Sequence, residues 1–138
     1  MAKVPGLRDD GVMVGGLVFL GRMLDKIRLH AAGKLPADYN RGSGFDTRCT
    51  TFLKIEYAAL EKRTLEGGTD EQVLEWAMTT GRRPTKEEIE MWNAWISKRG
   101  FRDERTEALA RMKAERGWQN RDDIVTYFDF HRGDEESD

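Results

Sequence analysis

Apolar residues recur along this chain at the three-and-four spacing of helices rather than at the alternation of strands. Between residues 14 and 32, Leu17, Leu20, Met23, Leu24, Ile27 and Ala31 fall on one stripe. Val73, Trp76, Ala77 and Thr80 form a second, Ile89, Trp92, Trp95 and Ile96 a third, and Ile124, Tyr127 and Phe128 mark the last. The segment 104–116 has only Ala108, Leu109 and Met112 among charges, so it is expected to be the most exposed helix. No run of five or more residues alternates apolar and polar between turn signals. The pattern predicts an all-α fold, a compact single-domain bundle over 1–138 with six or seven helices. These are expected over 14–32, 46–53, 56–66, 70–80, 86–99, 104–116 and 121–131. An irregular segment over 1–13 precedes them, and an acidic frayed tail over 133–138 follows.

Local chemistry sets the boundaries. Thr69-Asp70-Glu71-Gln72 and Thr85-Lys86-Glu87-Glu88 fit the capping box, in which hydroxyl and carboxamide or carboxylate satisfy orphan amides reciprocally. Asp46, Asp103 and Asn120 are further N-cap candidates. Gly33, Gly67, Gly81, Gly100, Gly117 and Gly133 each follow a helical stretch, where glycine reaches the left-handed conformation without a Cβ penalty. Gly15, Gly16 and Gly21 are read as sites of close helix packing. The glycine-rich opening matches neither a P-loop nor a dinucleotide fingerprint.

Composition narrows the class. With 35% charged and 38% hydrophobic residues and a net charge of −2, the chain reads as a soluble globular protein. The longest apolar run, Val12 to Gly21, falls well short of the roughly 20 residues a spanning helix needs. Asp9 and Asp10 before it spoil a signal peptide, and a single cysteine, Cys49, suits a reducing compartment, so a cytoplasmic location is expected. One cysteine builds no disulfide and no cysteine cage. His30 and His131 lack the spacing of metal ligands, so neither a metal site nor a cofactor is expected.

Met23-Leu24-Asp25-Lys26-Ile27-Arg28 followed by Ala32-Gly33-Lys34-Leu35 resembles the signature of the bacterial domain-of-unknown-function family 5069. The likeness continues through Tyr39, Gly44-Phe45-Asp46 and Phe52, then Thr69 to Val73 with Trp76, and Glu87-Glu88-Ile89 with Trp92-Asn93. Many relatives carry Gly-Glu-Tyr and Cys-Pro-Leu-Asp where this chain has Ala37-Asp38-Tyr39 and Gly44-Phe45-Asp46. The resemblance implies a small soluble bacterial protein and supplies no activity, cofactor or catalytic residue.

Charge is unevenly distributed. Between Arg22 and Lys54 seven basic residues face three acidic ones, a surplus of four that leaves the remainder of the chain at −6. Such a segment can hold a phosphate or carboxylate, with Arg28 or Arg48 offering a planar fork. The competing reading is ion pairing within the fold: Arg22, Asp25 and Arg28 are three apart on one helix, and Arg28 lies at the edge of the core stripe, within reach of Asp46 or a loop carbonyl. His30, Asp46 and Cys49 have the residue types of a base and nucleophile, yet free cysteines are more often small buried hydrophobes. Trp76, Trp92 and Trp95 are expected in the core, and Trp118 is the most plausible exposed tryptophan.

Two functional expectations follow. The first is a cytoplasmic binding or protein-interaction module, contacting a partner or a second copy of itself through Val18, Phe19 and Leu29, which lie off the main stripe of the first helix. The second is an enzyme or sensor for a small phosphate- or carboxylate-bearing metabolite, using Asp25, Lys26, Arg28, His30, Asp46, Arg48 and Cys49. The acidic pI of about 5.8 argues against nucleic acid, and the short apolar run against a membrane. In the second half Arg82-Arg83 are read as a helix cap.

Overall fold

Gly15 and Gly16, both at positive φ, reverse the chain where the apolar pattern predicts continuous helix. In the computed structural model, which describes residues 3–136, this turn joins β1 (Met13–Val14) to β2 (Leu17–Val18). The two pair antiparallel, Met13 opposite Val18 and Val14 opposite Leu17. The φ of 85° at Gly16 suits a residue without Cβ, and a Cβ on Gly15 would lie 2.2 Å from Leu74 Cδ2. Helix α1 (Leu20–Ala31) begins only after the hairpin. Its N-cap, Phe19, is left-handed with φ 74°, a costly conformation for a bulky residue, and its ring is buried edge-on against Phe45 at 5.6 Å.

Among the described residues six further helices follow: α2 (Phe45–Leu53), α3 (Tyr57–Leu65), α4 (Asp70–Thr80), α5 (Lys86–Lys98), α6 (Thr106–Glu115) and α7 (Tyr127–Glu136). The fold is mostly α, as the periodicity predicts, with a two-stranded hairpin added. The chain divides into two compact units, one over Val4–Trp92 and one over 93–136 with Lys3. In the larger, α1 packs on α3, which also meets α2 and α4, and α4 meets β1. Leu20, Met23, Leu24 and Ile27 of α1, Leu53 of α2, Leu60 of α3 and Val73 and Ala77 of α4 are buried. Trp92 stacks on Phe52 with centroids 5.1 Å apart and donates its indole N–H to the Val18 carbonyl. In the smaller unit Ile96, Leu109, Ile124, Tyr127, Phe128 and Phe130 are buried. The Tyr127 N–H donates to the Arg99 carbonyl at 2.9 Å.

Several boundaries shift for local reasons. The capping boxes at Thr69/Gln72 and Thr85/Glu88 form as predicted. Asp46 lies inside the first turn of α2, behind Gly44. Asp103 bonds the N–H groups of Gly100 and Arg105 ahead of α6, whose N-cap is Arg105. The last helix starts later than predicted, because Thr126 and Asp129 exchange bonds there and the residues after Asn120 form turns. It then runs through the acidic stretch to Glu136, and Asp134 is buried against Arg116 rather than frayed. Residues 137–138 lie outside the described residues.

Gly33, Gly67, Gly100 and Gly117 take positive φ, as helix-ending glycines should, whereas Gly133 lies within α7. Trp95 is exposed with Arg99 over its ring, and Trp118 is half-buried beside Phe130, the reverse of the expected assignment. As expected, α6 is the least buried, with Leu109 its one fully buried residue.

Gly81 is required for a different reason from the other glycines. Its φ is −96°, but the Arg82 N–H donates to the Leu53 carbonyl at 2.9 Å, which draws the chain against the end of α2. A Cβ there would lie 2.0 Å from Leu53 O and 2.7 Å from Lys54 O. Backbone cannot yield as a side chain does, so Gly81→Ala is expected to cost about 3 kcal/mol or more. Gly33→Ala meets no atom within 4 Å, and only its positive φ, worth about 1–2 kcal/mol, should be felt. Urea denaturation of the two variants against the parent checks the ordering.

Candidate functional site

Helix α1 is apolar toward α3, yet it also buries Arg22, Asp25 and Lys26. A charge removed from water persists only if matched by an opposite charge and hydrogen bonds. Each of these residues is matched by a segment distant in sequence. Arg22 Nε lies 3.1 Å from Asp10 Oδ1, and its Nη1 donates to the Arg8 carbonyl. One turn on, Lys26 Nζ lies 2.8 Å from Asp46 Oδ1 and donates to the Asn40 carbonyl at 2.7 Å. Asp46 Oδ2 accepts the Gly42 N–H at 2.8 Å, so α2 and the loop before it are fastened together.

A second cluster occupies another side of α1. Arg8 donates Nε to Asp25 Oδ2 at 2.8 Å and Nη2 to Asp25 Oδ1 at 2.9 Å, a two-point pairing that its backbone N–H reinforces. Its Nη1 lies 2.8 Å from Asp70 Oδ2, and Arg28 Nη1 donates to the other Asp70 oxygen at 2.7 Å. Asp70 is the first residue of α4, where the helix dipole favours a carboxylate. The two clusters together hold four cations and four carboxylates, a sum of zero.

Electrostatics follow the geometry. Burial pushes the Lys26 ammonium below its ordinary value and Asp46 above its own, and their mutual attraction acts against both shifts. Burial would also raise Asp70, but hydrogen bonds from Arg8 and Arg28 outweigh it and hold the carboxyl below the usual range. Burial pushes the Cys49 thiol up, and the negative charge of Asp46 adds to the effect. The Tyr57 phenol is likewise pushed up to about 12 by burial and by Asp46.

The seven residues singled out from sequence therefore part company. Asp25 and Arg28 join one cluster, and Lys26 and Asp46 the other. Arg28 ties Asp70 rather than Asp46, and its nitrogen stands 4.0 Å from Asp25. Arg48 and His30 are exposed, while Cys49 is fully buried. A thiol so placed, with its pKa raised, is the opposite of an activated nucleophile. Val18 and Phe19 are buried and so present no surface to a partner; Leu29 is half-buried. Sequence reasoning missed Arg8, Asp10 and Asp70. The available signal was the row of polar residues at core-facing positions of α1, which demands partners without naming them.

Outside this site Arg41 pairs with Glu61 and Arg83 with Glu75. Arg82 donates to the Phe52 carbonyl, lies over the Phe52 ring and pairs with Glu88. Among the described residues no group of three or more His, Cys, Asp and Glu is placed to hold a metal ion.

Two outcomes follow from this geometry. Asp70→Asn is expected to cost about 1–3 kcal/mol at pH 7, because Arg28 loses its close counter-charge and Arg8 keeps only Asp25. A depressed carboxyl contributes stability that is present above its unfolded value and lost as pH falls through its folded one. The gap between parent and variant should therefore close below about pH 4 in denaturation series. Second, Cys49 in the native protein should react with a disulfide reagent such as 5,5′-dithiobis(2-nitrobenzoate) only as fast as the structure opens. A stoichiometric reaction within seconds would contradict its burial.

No curated protein matches this chain at a significant level. Among families, the model for a domain of unknown function, DUF5069, matches residues 4–137, a span that includes both ion-pair clusters and all seven helices. The chain belongs to the DUF5069 family.

Proposed function

We propose that this protein is a binding module in which α1 and its ion pairs serve as scaffold, and in which contact with other molecules is made by exposed apolar side chains. The observation that carries this reading is an open groove in the smaller unit, with a volume of about 330 Å³. Phe101 and Val125, 46% and 43% exposed, line it together with the buried Leu109 and Ile124. Large apolar side chains held in water around a concavity are the usual mark of a contact site. The high charged fraction and the single unpaired, buried Cys49 support a soluble protein of the bacterial cytoplasm.

The alternative, an enzyme or sensor taking a small anion through residues 22–54, has less support. Its α1 cations Arg22, Lys26 and Arg28 already meet carboxylates at 3.1, 2.8 and 2.7 Å. A phosphate entering there would have to displace a carboxylate from each. Self-association is a second form of the binding reading, but of the three residues assigned to it Leu29 alone retains exposure.

Native protein titrated with 1-anilinonaphthalene-8-sulfonate should show saturable fluorescence enhancement, with near-ultraviolet circular dichroism unchanged. Amide shift changes in labelled protein should centre on residues 100–125. Inorganic phosphate and acetate should leave residues 22–54 unperturbed. Absence of dye binding would overturn the binding-module reading, and saturable submillimolar phosphate shifts in 22–54 would restore the anion-site alternative.

A further inference from the structure

The groove of the smaller unit is apolar along its walls, but it is not neutral. Arg102 and Lys113 line it beside Phe101, Leu109, Ile124 and Val125, and among the described residues none that lines it is acidic. Both cations are held in place. Arg102 is left-handed at φ 51°, and its guanidinium lies 5.1 Å from the Phe101 ring centroid, a cation over an aromatic face. Lys113 donates to the carbonyls of Arg121 and Ile124 at 2.7 and 2.8 Å, which fixes the ammonium against the groove wall.

Two neighbouring carboxylates, Asp103 and Asp123, make their hydrogen bonds elsewhere. Asp103 accepts from the N–H groups of Gly100 and Arg105 and lies 3.5 Å from Arg99. Asp123 takes two bonds from Arg121, each 2.8 Å, and the Lys113 charge adds a weaker attraction on its carboxylate. This differs from the ion-pair clusters of α1, where each cation has its carboxylate. Here two cations and an apolar trough share one lining that, among the described residues, has no carboxylate in it.

We propose that this groove binds a small amphipathic carboxylate, with its apolar body along Phe101, Leu109, Ile124 and Val125 and its charged head toward Arg102 and Lys113. The inference rests on the binding-module reading above and adds the chemistry of the ligand. A volume of about 330 Å³ lies at the lower end of the range in which proteins hold small molecules, about 300–1,000 Å³, and so fits a medium-length chain or a single substituted ring. An apolar floor supplies affinity for the body, and cations at the lining select the sign of the head.

The test compares decanoate, decanol and decyltrimethylammonium, each below its aggregation concentration, by amide shift titration of the full chain. Decanoate should bind saturably with shifts at residues 100–125, about tenfold tighter than decanol, and the ammonium should bind weakest. Arg102→Gln, at an exposed position, should weaken decanoate about three- to tenfold and leave decanol unchanged. Val125→Ser should weaken both. Equal affinity for decanoate and decanol, shifts centred outside the groove, or an unaltered Arg102→Gln would each overturn the proposal. If the dye binds in the groove while decanoate gains nothing over decanol, the ligand chemistry fails and the binding module stands. If neither dye nor decanoate binds, both fall.

Discussion

Burying a charge is so costly that its partner becomes obligatory, and in the larger unit this constraint falls on one helix. Arg22, Asp25 and Lys26 share α1 with the leucines, methionine and isoleucine that fill the core. Hydrophobic burial alone would let neighbouring segments slide over α1 with little loss, because apolar contact has no direction. The paired charges remove that freedom. Arg22 accepts the segment containing Asp10, Lys26 accepts the turn of α2 that carries Asp46, and Asp25 with Arg28 accepts Arg8 and the start of α4. Replacing every member by apolar residues of similar size would not necessarily weaken the fold, but removing one member strands the other. Breaking one pair is therefore costlier than the pair's own net contribution to stability.

This division explains what was legible in the sequence. The sequence predicts helix α4 at its observed bounds because its start signal is contained in four consecutive residues, Thr69 to Gln72, whose side chains and amides satisfy one another locally. The hairpin was not legible. Each strand is two residues long, too short for alternation to register, and its existence depends on Gly15 and Gly16 taking positive φ beside Leu74. The late start of α7 was hidden because Ile124 fits the helical spacing although the bond exchange that begins the helix lies at Thr126 and Asp129. At the candidate site, Asp25, Lys26, Arg28 and Asp46 could be picked out by type and position. Arg8 and Asp70 stand 17 and 42 residues from the groups they bond, and no local pattern encodes a pairing across such distances.

Arginine serves two purposes in this protein, in ion pairs and across aromatic rings, and both units use both. Around α1 it is consumed by carboxylates and carbonyls within the protein. In the smaller unit it repeatedly lies across aromatic faces: Arg99 over Trp95, Arg102 over Phe101, Arg116 over both Trp118 and Phe130, and Arg121 over Trp118. Guanidinium groups so placed cover apolar surface while keeping their edges in water. Aromatic groups can thus stay near the surface without forming one continuous sticky patch.

The stretch before the hairpin has no helix and no strand between residues 3 and 12, and by that measure it looks dispensable. Its side chains say otherwise. Arg8 and Asp10 are the counter-ions of Asp25 and Arg22, and Asp10 is itself 1% exposed and its carbonyl accepts the Phe19 N–H. A shortened version of the protein beginning at the hairpin would keep every regular element and an unchanged sum of charge, yet leave Arg22 without Asp10 and Asp25 without the two-point pairing from Arg8. The working edge of the fold on this side is set by where its buried charges find their counter-ions, several residues ahead of the first hydrogen-bonded ladder.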